Sequence, residues 1–271
     1  MIHRREIEVK SCAKIKHYPD GKQIIYAATK PIFGGAGWEE SDKWDTKPKK
    51  KRKSAAAENV LRSKRRAAAA VRDLALCNDF RYFVTLTLDG SKIERYDLSQ
   101  VVRKLNNWCD NRVRRDGLKY ILVPEQHKDG AFHFHGFFND ALCVEDSGTL
   151  RIVGGKKPKK PRSKKEREQL LINGAQVVYN LPDWNFGFST AIALYGEREA
   201  AIGYAVKYIT KAQEKMGGRW YFSGGGLSKP MFTFESDIDF YDIAEDGRSY
   251  VIELPQAGYA MAILECNGEN D

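Results

Sequence analysis

Apolar and polar positions alternate or recur in blocks along the chain, and the blocks predict its elements. Over residues 5–28, Ile7 and Val9 and then Ile24, Ile25 and Tyr26 flank the turn signal Pro19-Asp20-Gly21, the pattern of a β-hairpin. From Ala55 to Leu76, alanines with Val60, Leu61, Val71, Leu74 and Leu76 favour a helix, and Arg62, Lys64, Arg65, Arg66 and Arg72 make it basic and amphipathic. In Phe83-Val-Thr-Leu-Thr-Leu88 threonine alternates with aliphatic residues, as in a strand with one apolar face. Asp97 with Gln100 resembles a capping box, and Leu98, Val101, Val102, Leu105 and Trp108 recur at helical spacing to about Arg115. Gly117 stops that helix. Leu118 to Val123 and Ala131 to Phe138, joined through Asp129-Gly130, then read as two adjacent antiparallel strands. Val177 to Leu194 reads as further strand, Glu197 to Glu214 as helix, and Trp220 to Phe222 as strand.

Charge adds a polyanionic partner to this picture. The chain of 271 residues carries a net charge of +9, but residues 235–271 hold ten acidic residues and one basic, so residues 1–234 stand near +18. An imbalance of this size points to nucleic acid. Lys47 to Lys53 forms a basic run with no acidic residue inside it, a candidate nucleic-acid-contacting arm. Residues 154–168, with eight basic residues and two prolines, read as an exposed loop. Three segments result: a hairpin and basic arm (1–54), a central domain (55–230) and an acidic C-terminal tail (231–271). The longest unbroken apolar run, Ala257 to Leu264, is too short to span a bilayer, and the first residues lack signal-peptide character. The five widely spaced cysteines form no Cys-x-x-Cys pair, which fits reduced thiols in a cytoplasm and no membrane association.

Two clusters carry candidate chemistry. His133 and His135, two apart on a predicted strand, share a face and are suited to one metal ion. Glu125 on the neighbouring strand is a candidate third ligand, with Gln126 and His127 competing for the position because a one-residue slip swaps which side chain faces the histidines. Two histidines and a carboxylate make an open site for a divalent ion. On the predicted helix Tyr204-Ala-Val-Lys-Tyr208, the stripe Ile202, Ala205, Val206 and Ile209 is apolar, and Tyr204, Lys207, Tyr208 and Lys211 fall on the opposite side. A phenol is almost wholly protonated at neutral pH, so a nucleophilic tyrosine needs activation, for which Lys207 or Lys211 is at hand. Tyrosine, lysine and a histidine-held metal together suit phosphoryl transfer to DNA through a covalent intermediate.

The strand Phe83 to Leu88, Glu125 with His133-Phe-His-Gly136, and Tyr204-Ala-Val-Lys-Tyr208 resemble, in order and spacing, the HUH endonuclease superfamily, specifically rolling-circle replication initiators of bacterial phages and plasmids with two tyrosines. The resemblance covers about residues 55–225. It implies an α+β fold, ferredoxin- or palm-like, with a central antiparallel sheet, helices on one side and the histidines on a middle strand. It further implies that His133, His135 and Glu125 hold Mg²⁺ or Mn²⁺. Tyr208 or Tyr204 then attacks single-stranded DNA at a replication origin, leaving a 5′-phosphotyrosine, and Lys207 orients the phosphate or stabilises charge. Lys211, Arg65, Arg66 and the arm residues Lys49, Lys50, Lys51 and Arg52 are the candidate DNA contacts. No P-loop pattern is present, so a host or phage helicase would unwind the duplex and a polymerase extend the free 3′ end, in the cytoplasm of a bacterial host. A relaxase or transposase of the same chemistry, and a non-catalytic DNA-binding regulator on the same fold, are the alternatives.

Overall fold

The computed structural model describes residues 9–33, 55–127, 129–152, 155, 158–194, 198–235, 237–255 and 258–266. The basic run Lys47 to Lys53, with Lys49, Lys50, Lys51 and Arg52, lies outside them, as do Gly154, Lys156 and Lys157 of the second basic stretch. The chain divides into two units, one of residues 54–228 and one that joins residues 1–53 to 229–271.

The 54–228 unit is built on a seven-stranded antiparallel sheet. Its strands are β3 (Tyr82–Leu88), β4 (Tyr120–Gln126), β5 (Phe132–Phe138), β6 (Glu145–Arg151), β7 (Gln176–Asn180), β8 (Gly187–Ala193) and β9 (Phe222–Gly224), in the order β6-β7-β8-β3-β5-β4-β9. The side-chain period of two sorts β3 and β5 into two faces. Val84, Leu86, Phe134 and Phe138 turn to one face and pack with Val101, Leu105, Trp108 and Cys109 of helix α2 (Leu98–Asp116) in one buried cluster. Each such large apolar side chain contributes about 1.5–3 kcal/mol when removed from water. The other face carries Phe83, Thr85, Thr87, His133, His135 and Phe137, and helix α4 (Arg198–Lys211) lies over it.

Helices therefore flank both faces of this sheet, where one-sided cover is the sequence-based expectation. The reason is that Phe83, Phe137 and Tyr204 form a second aromatic layer beneath α4. Helix α1 (Ala55–Cys77) packs beside α4 through the stripe Ala67, Val71, Leu74 and Ala75, with Trp220 Nε1 donating to Ser63 Oγ at 2.9 Å. At the start of α2 the Asp97 carboxylate accepts from the backbone N–H of Gln100 at 3.0 Å, as the capping pattern predicts. At its end Gly117 adopts φ +75°, a conformation that costs glycine little, and its N–H returns to the carbonyls of Arg112 and Val113.

Three local expectations are corrected. The basic stretch is not loop throughout: helix α3 (Lys164–Ile172) begins inside it, capped by Ser163, whose Oγ accepts from Glu166 N at 3.1 Å. Val177 to Leu194 is two strands, because Leu181 to Phe186 turns the chain between β7 and β8, held by Leu181 N donating to Ser189 Oγ at 2.8 Å. The acidic segment after residue 230 is folded. Its strands β10 (Met231–Glu235), β11 (Tyr250–Leu254) and β12 (Tyr259–Cys266) join β1 (Val9–His17) and β2 (Gln23–Phe33) in an antiparallel sheet of order β10-β1-β2-β12-β11. Helix α5 (Phe240–Glu245) packs on β2 and β12. Ala13, Ala27 and Ala262 lie in register across the three central strands and are wholly buried, so burial of small apolar side chains organises the segment and its carboxylates stay at the surface. Among the described residues no helix is long and apolar enough to cross a membrane.

Candidate active site

Register decides which groups meet on the α4-covered face. Glu125 pairs with His133 across β4 and β5, and Thr87 and Thr85 of β3 pair with His133 and His135. Each threonine Oγ1 meets an imidazole Nδ1, at 3.1 Å for Thr85 with His135 and at 3.0 Å for Thr87 with His133. This leaves Nε2 of each ring for other partners. His135 Nε2 stands 2.8 Å from Glu125 Oε2, although the directly opposed residue is His133. His127 Nε2 approaches the same carboxylate oxygen at 3.9 Å, and its ring stacks on that of His133 with centroids 3.8 Å apart. The third-ligand competition that register leaves open is thus resolved by placement: Glu125 and His127 both join the histidines, and Gln126 instead reaches toward the Gly130 carbonyl.

Burial lowers the pKa of both strand histidines, that of His133 to about 4, with the neighbouring His127 and His135 adding to the shift. At neutral pH both rings are uncharged. The unfolded chain protonates each at about 6.5, so between that value and about 4 the unfolded state binds more protons than the folded one. Stability is expected to fall as pH drops through this window and to be insensitive to these groups above it. Thermal melting of the wild type and of His133→Gln against pH checks this: the variant should show the shallower acid limb.

The tyrosines sit directly above this row. Tyr208 is 8% exposed, is buried along with Ile202, Ala205 and Ile209, and stacks on the His135 ring at 4.3 Å and 9°. Tyr204 is 43% exposed, with its ring edge-on to Phe83 at 5.6 Å and to His135 at 6.0 Å. The Tyr208 hydroxyl donates to the Tyr204 hydroxyl at 2.5 Å. The helix is therefore turned from the expected division: Tyr208 belongs to the packing face, Tyr204 to its rim, and Lys207 and Lys211 point outward. Lys207 Nζ lies 5.8 Å from the Tyr204 ring centroid. Desolvation pushes the Tyr208 phenol up, and its hydrogen bond to Tyr204 and the Glu125 charge push it further, so the ammonium does not activate this tyrosine. Lys64 Nζ of α1 donates to the Thr210 carbonyl near the end of α4 at 3.2 Å, while Arg65 and Arg66 are exposed on α1, apart from the histidines.

The donor chemistry suits a divalent ion, since two neutral imidazoles and a carboxylate converge and the hydroxyls at Nδ1 fix the ring orientation. Among the described residues, however, no three His, Cys, Asp or Glu side chains are arranged as a formed metal cage; His135 and Glu125 are closed on one another. Thr85 and Thr87 are functional neighbours that the sequence reading leaves in the strand pattern. Their spacing of two, matching that of the histidines, is the signal that could have found them.

A seven-stranded antiparallel sheet flanked by helices, with imidazoles, a carboxylate and paired phenols gathered under one helix, defines an α+β protein with a polar, nucleophile-bearing site on its sheet. Residues 81–213, which run from the edge of β3 to just beyond α4 and include every member of that site, match the ORF2 family of replication-associated proteins. No curated protein and no solved structure matches the chain.

Proposed function

We propose that the protein is a rolling-circle replication initiator of the HUH endonuclease type, on a ferredoxin- or palm-like sheet, that nicks and rejoins single-stranded origin DNA. The observation that carries this reading is the stacking of the tyrosine helix on the histidine–carboxylate row, with Tyr208 against His135 and Tyr204 beside it. Tyr204 is the first nucleophile: it is the exposed phenol, Lys207 is its neighbouring cation, and the Tyr208 hydroxyl donates to its oxygen. In the step, the Tyr204 phenol gives its proton to solvent, an O–P bond forms, and the bond from phosphorus to the 3′ oxygen breaks. That oxygen leaves as a hydroxyl after taking up a proton. Rejoining is the reverse attack of a 3′ hydroxyl on the phosphotyrosine.

His133, His135 and Glu125 would hold Mg²⁺ or Mn²⁺, which when bound supplies Lewis-acid polarisation of the phosphate. Thr85 and Thr87 then act as positioning residues. Thr85→Val and Thr87→Val are each expected to weaken Mn²⁺ binding about 10- to 100-fold, read by calorimetry on the DNA-free protein. Wild-type affinity in both would deny the hydroxyls that role. A helicase and a DNA polymerase of host or phage would complete the replication reaction, the bacterial cytoplasm being the setting.

The test is incubation with Mn²⁺ and labelled single-stranded oligonucleotides from the gene's own surroundings, followed by denaturing electrophoresis. A denaturant-resistant protein–DNA adduct, absent with chelator, is the expected result. DNA binding without adduct across a broad oligonucleotide library would favour the non-catalytic regulator.

A further inference from the structure

Strand β8 adds a feature that the chemistry described so far does not use. Phe188 is 69% exposed although it lies in a strand of the central sheet. Residues directly opposed on antiparallel strands share a face, and Phe188 is opposed to Thr87, which is opposed to His133, which is opposed to Glu125. The four form one row across β8, β3, β5 and β4, with the exposed ring at one end and the candidate ligands at the other. Strand spacing places the Phe188 backbone roughly 10 Å from that of His133, about the span from a phosphate to a base on the same or the adjoining nucleotide.

Its surroundings define what it receives. Strand β7 pairs with β8 at Ile192 and Ala191, so in the described pairing the sheet does not continue beside Phe188. Thr87, Ser189 and Thr190 border it in the strands, leaving one ring among hydroxyls and not a continuous apolar patch of the kind a protein partner would cover. Residues 54–228 hold 29 basic and 19 acidic side chains, which favours a polyanion. The position is also rigidly held. A Cβ on the preceding Gly187 would lie 2.1 Å from the Thr87 carbonyl oxygen, so β8 sits closer to β3 than any other residue there permits.

We propose that Phe188 is a stacking platform for an unpaired base of the DNA strand whose phosphate enters the histidine row. The inference rests on the proposed function in taking single-stranded DNA as the ligand. Stacking supplies sequence-tolerant affinity and fixes the register of the strand over the tyrosines.

The experiment measures binding of a fluorescently labelled oligothymidylate, about 20 nucleotides long, to the full chain without added metal, for the wild type and for Phe188→Ala, Phe188→Leu and Phe188→Trp. Phe188→Ala is expected to weaken binding roughly 5- to 150-fold, Phe188→Trp to restore it, and Phe188→Leu to resemble alanine, since a base stacks on a ring and not on an aliphatic chain. Unchanged thermal melting of the variants shows that the fold is kept, as the exposure of the side chain leads one to expect. Crosslinking of a bromouracil-substituted oligonucleotide should map to the peptide that contains Phe188. Wild-type affinity in Phe188→Ala, or equal affinity of the leucine and tryptophan variants, overturns the platform even if the covalent adduct forms. Loss of affinity in a protein that forms no adduct upholds the platform and overturns the nuclease instead. A wild type that does not bind the oligonucleotide at low salt overturns both.

Discussion

Tyr204→Phe is expected to abolish the covalent protein–DNA adduct, with nicking reduced roughly 10⁴-fold or more, because the variant keeps the ring and loses the attacking oxygen. Tyr208→Phe should behave differently. It retains the exposed phenol and removes the hydrogen bond that the buried hydroxyl donates to it, an interaction that strengthens as charge develops on the Tyr204 oxygen. A hydrogen bond to a charged group contributes about 1.5–3 kcal/mol, so nicking should slow about 10- to 150-fold while the adduct still forms. Single-turnover assays on one cleavable oligonucleotide, with the adduct's modified peptide identified by mass spectrometry, compare the two. Adduct in Tyr204→Phe at the wild-type rate, carried on Tyr208, would reverse the assignment.

The second large effect is on stability. Gly136 follows the two histidines on β5, and a Cβ there would stand 1.8 Å from the Ile121 carbonyl oxygen and 2.8 Å from its carbon. The obstacle is backbone of the adjacent strand, so no side-chain rotation relieves it. Gly136→Ala must part β4 from β5 at the point where Glu125 and His135 meet across them. A loss of about 3 kcal/mol or more is expected, read as a lower urea midpoint with little change in slope. A midpoint within about 0.5 kcal/mol of the wild type would show that the strands are not so closely apposed.

Much of the site was legible because it depends on short periods. The spacing of His133 and His135 puts both rings on one face of a strand, and the apolar spacing of 202, 205 and 209 identifies a packed helix without any knowledge of its partner. The family match over residues 81–213 covers the same segment. What local pattern cannot supply is register and depth. Nothing in the sequence near Glu125 says that its carboxylate reaches His135 and not the opposed His133, and nothing in Tyr204-Ala-Val-Lys-Tyr208 says which phenol lies beneath the other. Both follow from where α4 settles on the sheet. The region after residue 230 was misjudged for another reason: ten carboxylates dominate its composition, while the apolar run Ala257 to Leu264 is mostly β12, whose partner β2 lies more than 200 residues earlier. Helix α3 was readable, since Ser163 and Glu166 form the capping pattern recognised at Asp97, but the surrounding lysines and prolines obscured it.

The sheet that joins β1 and β2 to β10, β11 and β12 gives synthesis an order. Residues 54–228 are contiguous, so a nascent chain can complete that unit as soon as they have emerged, with the histidines and tyrosines already assembled. The β1–β2 pair is made first and finished last, because its neighbours β10 and β12 follow the whole inserted unit. During that interval both its edges are unpaired, so aggregation of truncated products should be governed by β1 and β2 and not by the unit that carries the histidines.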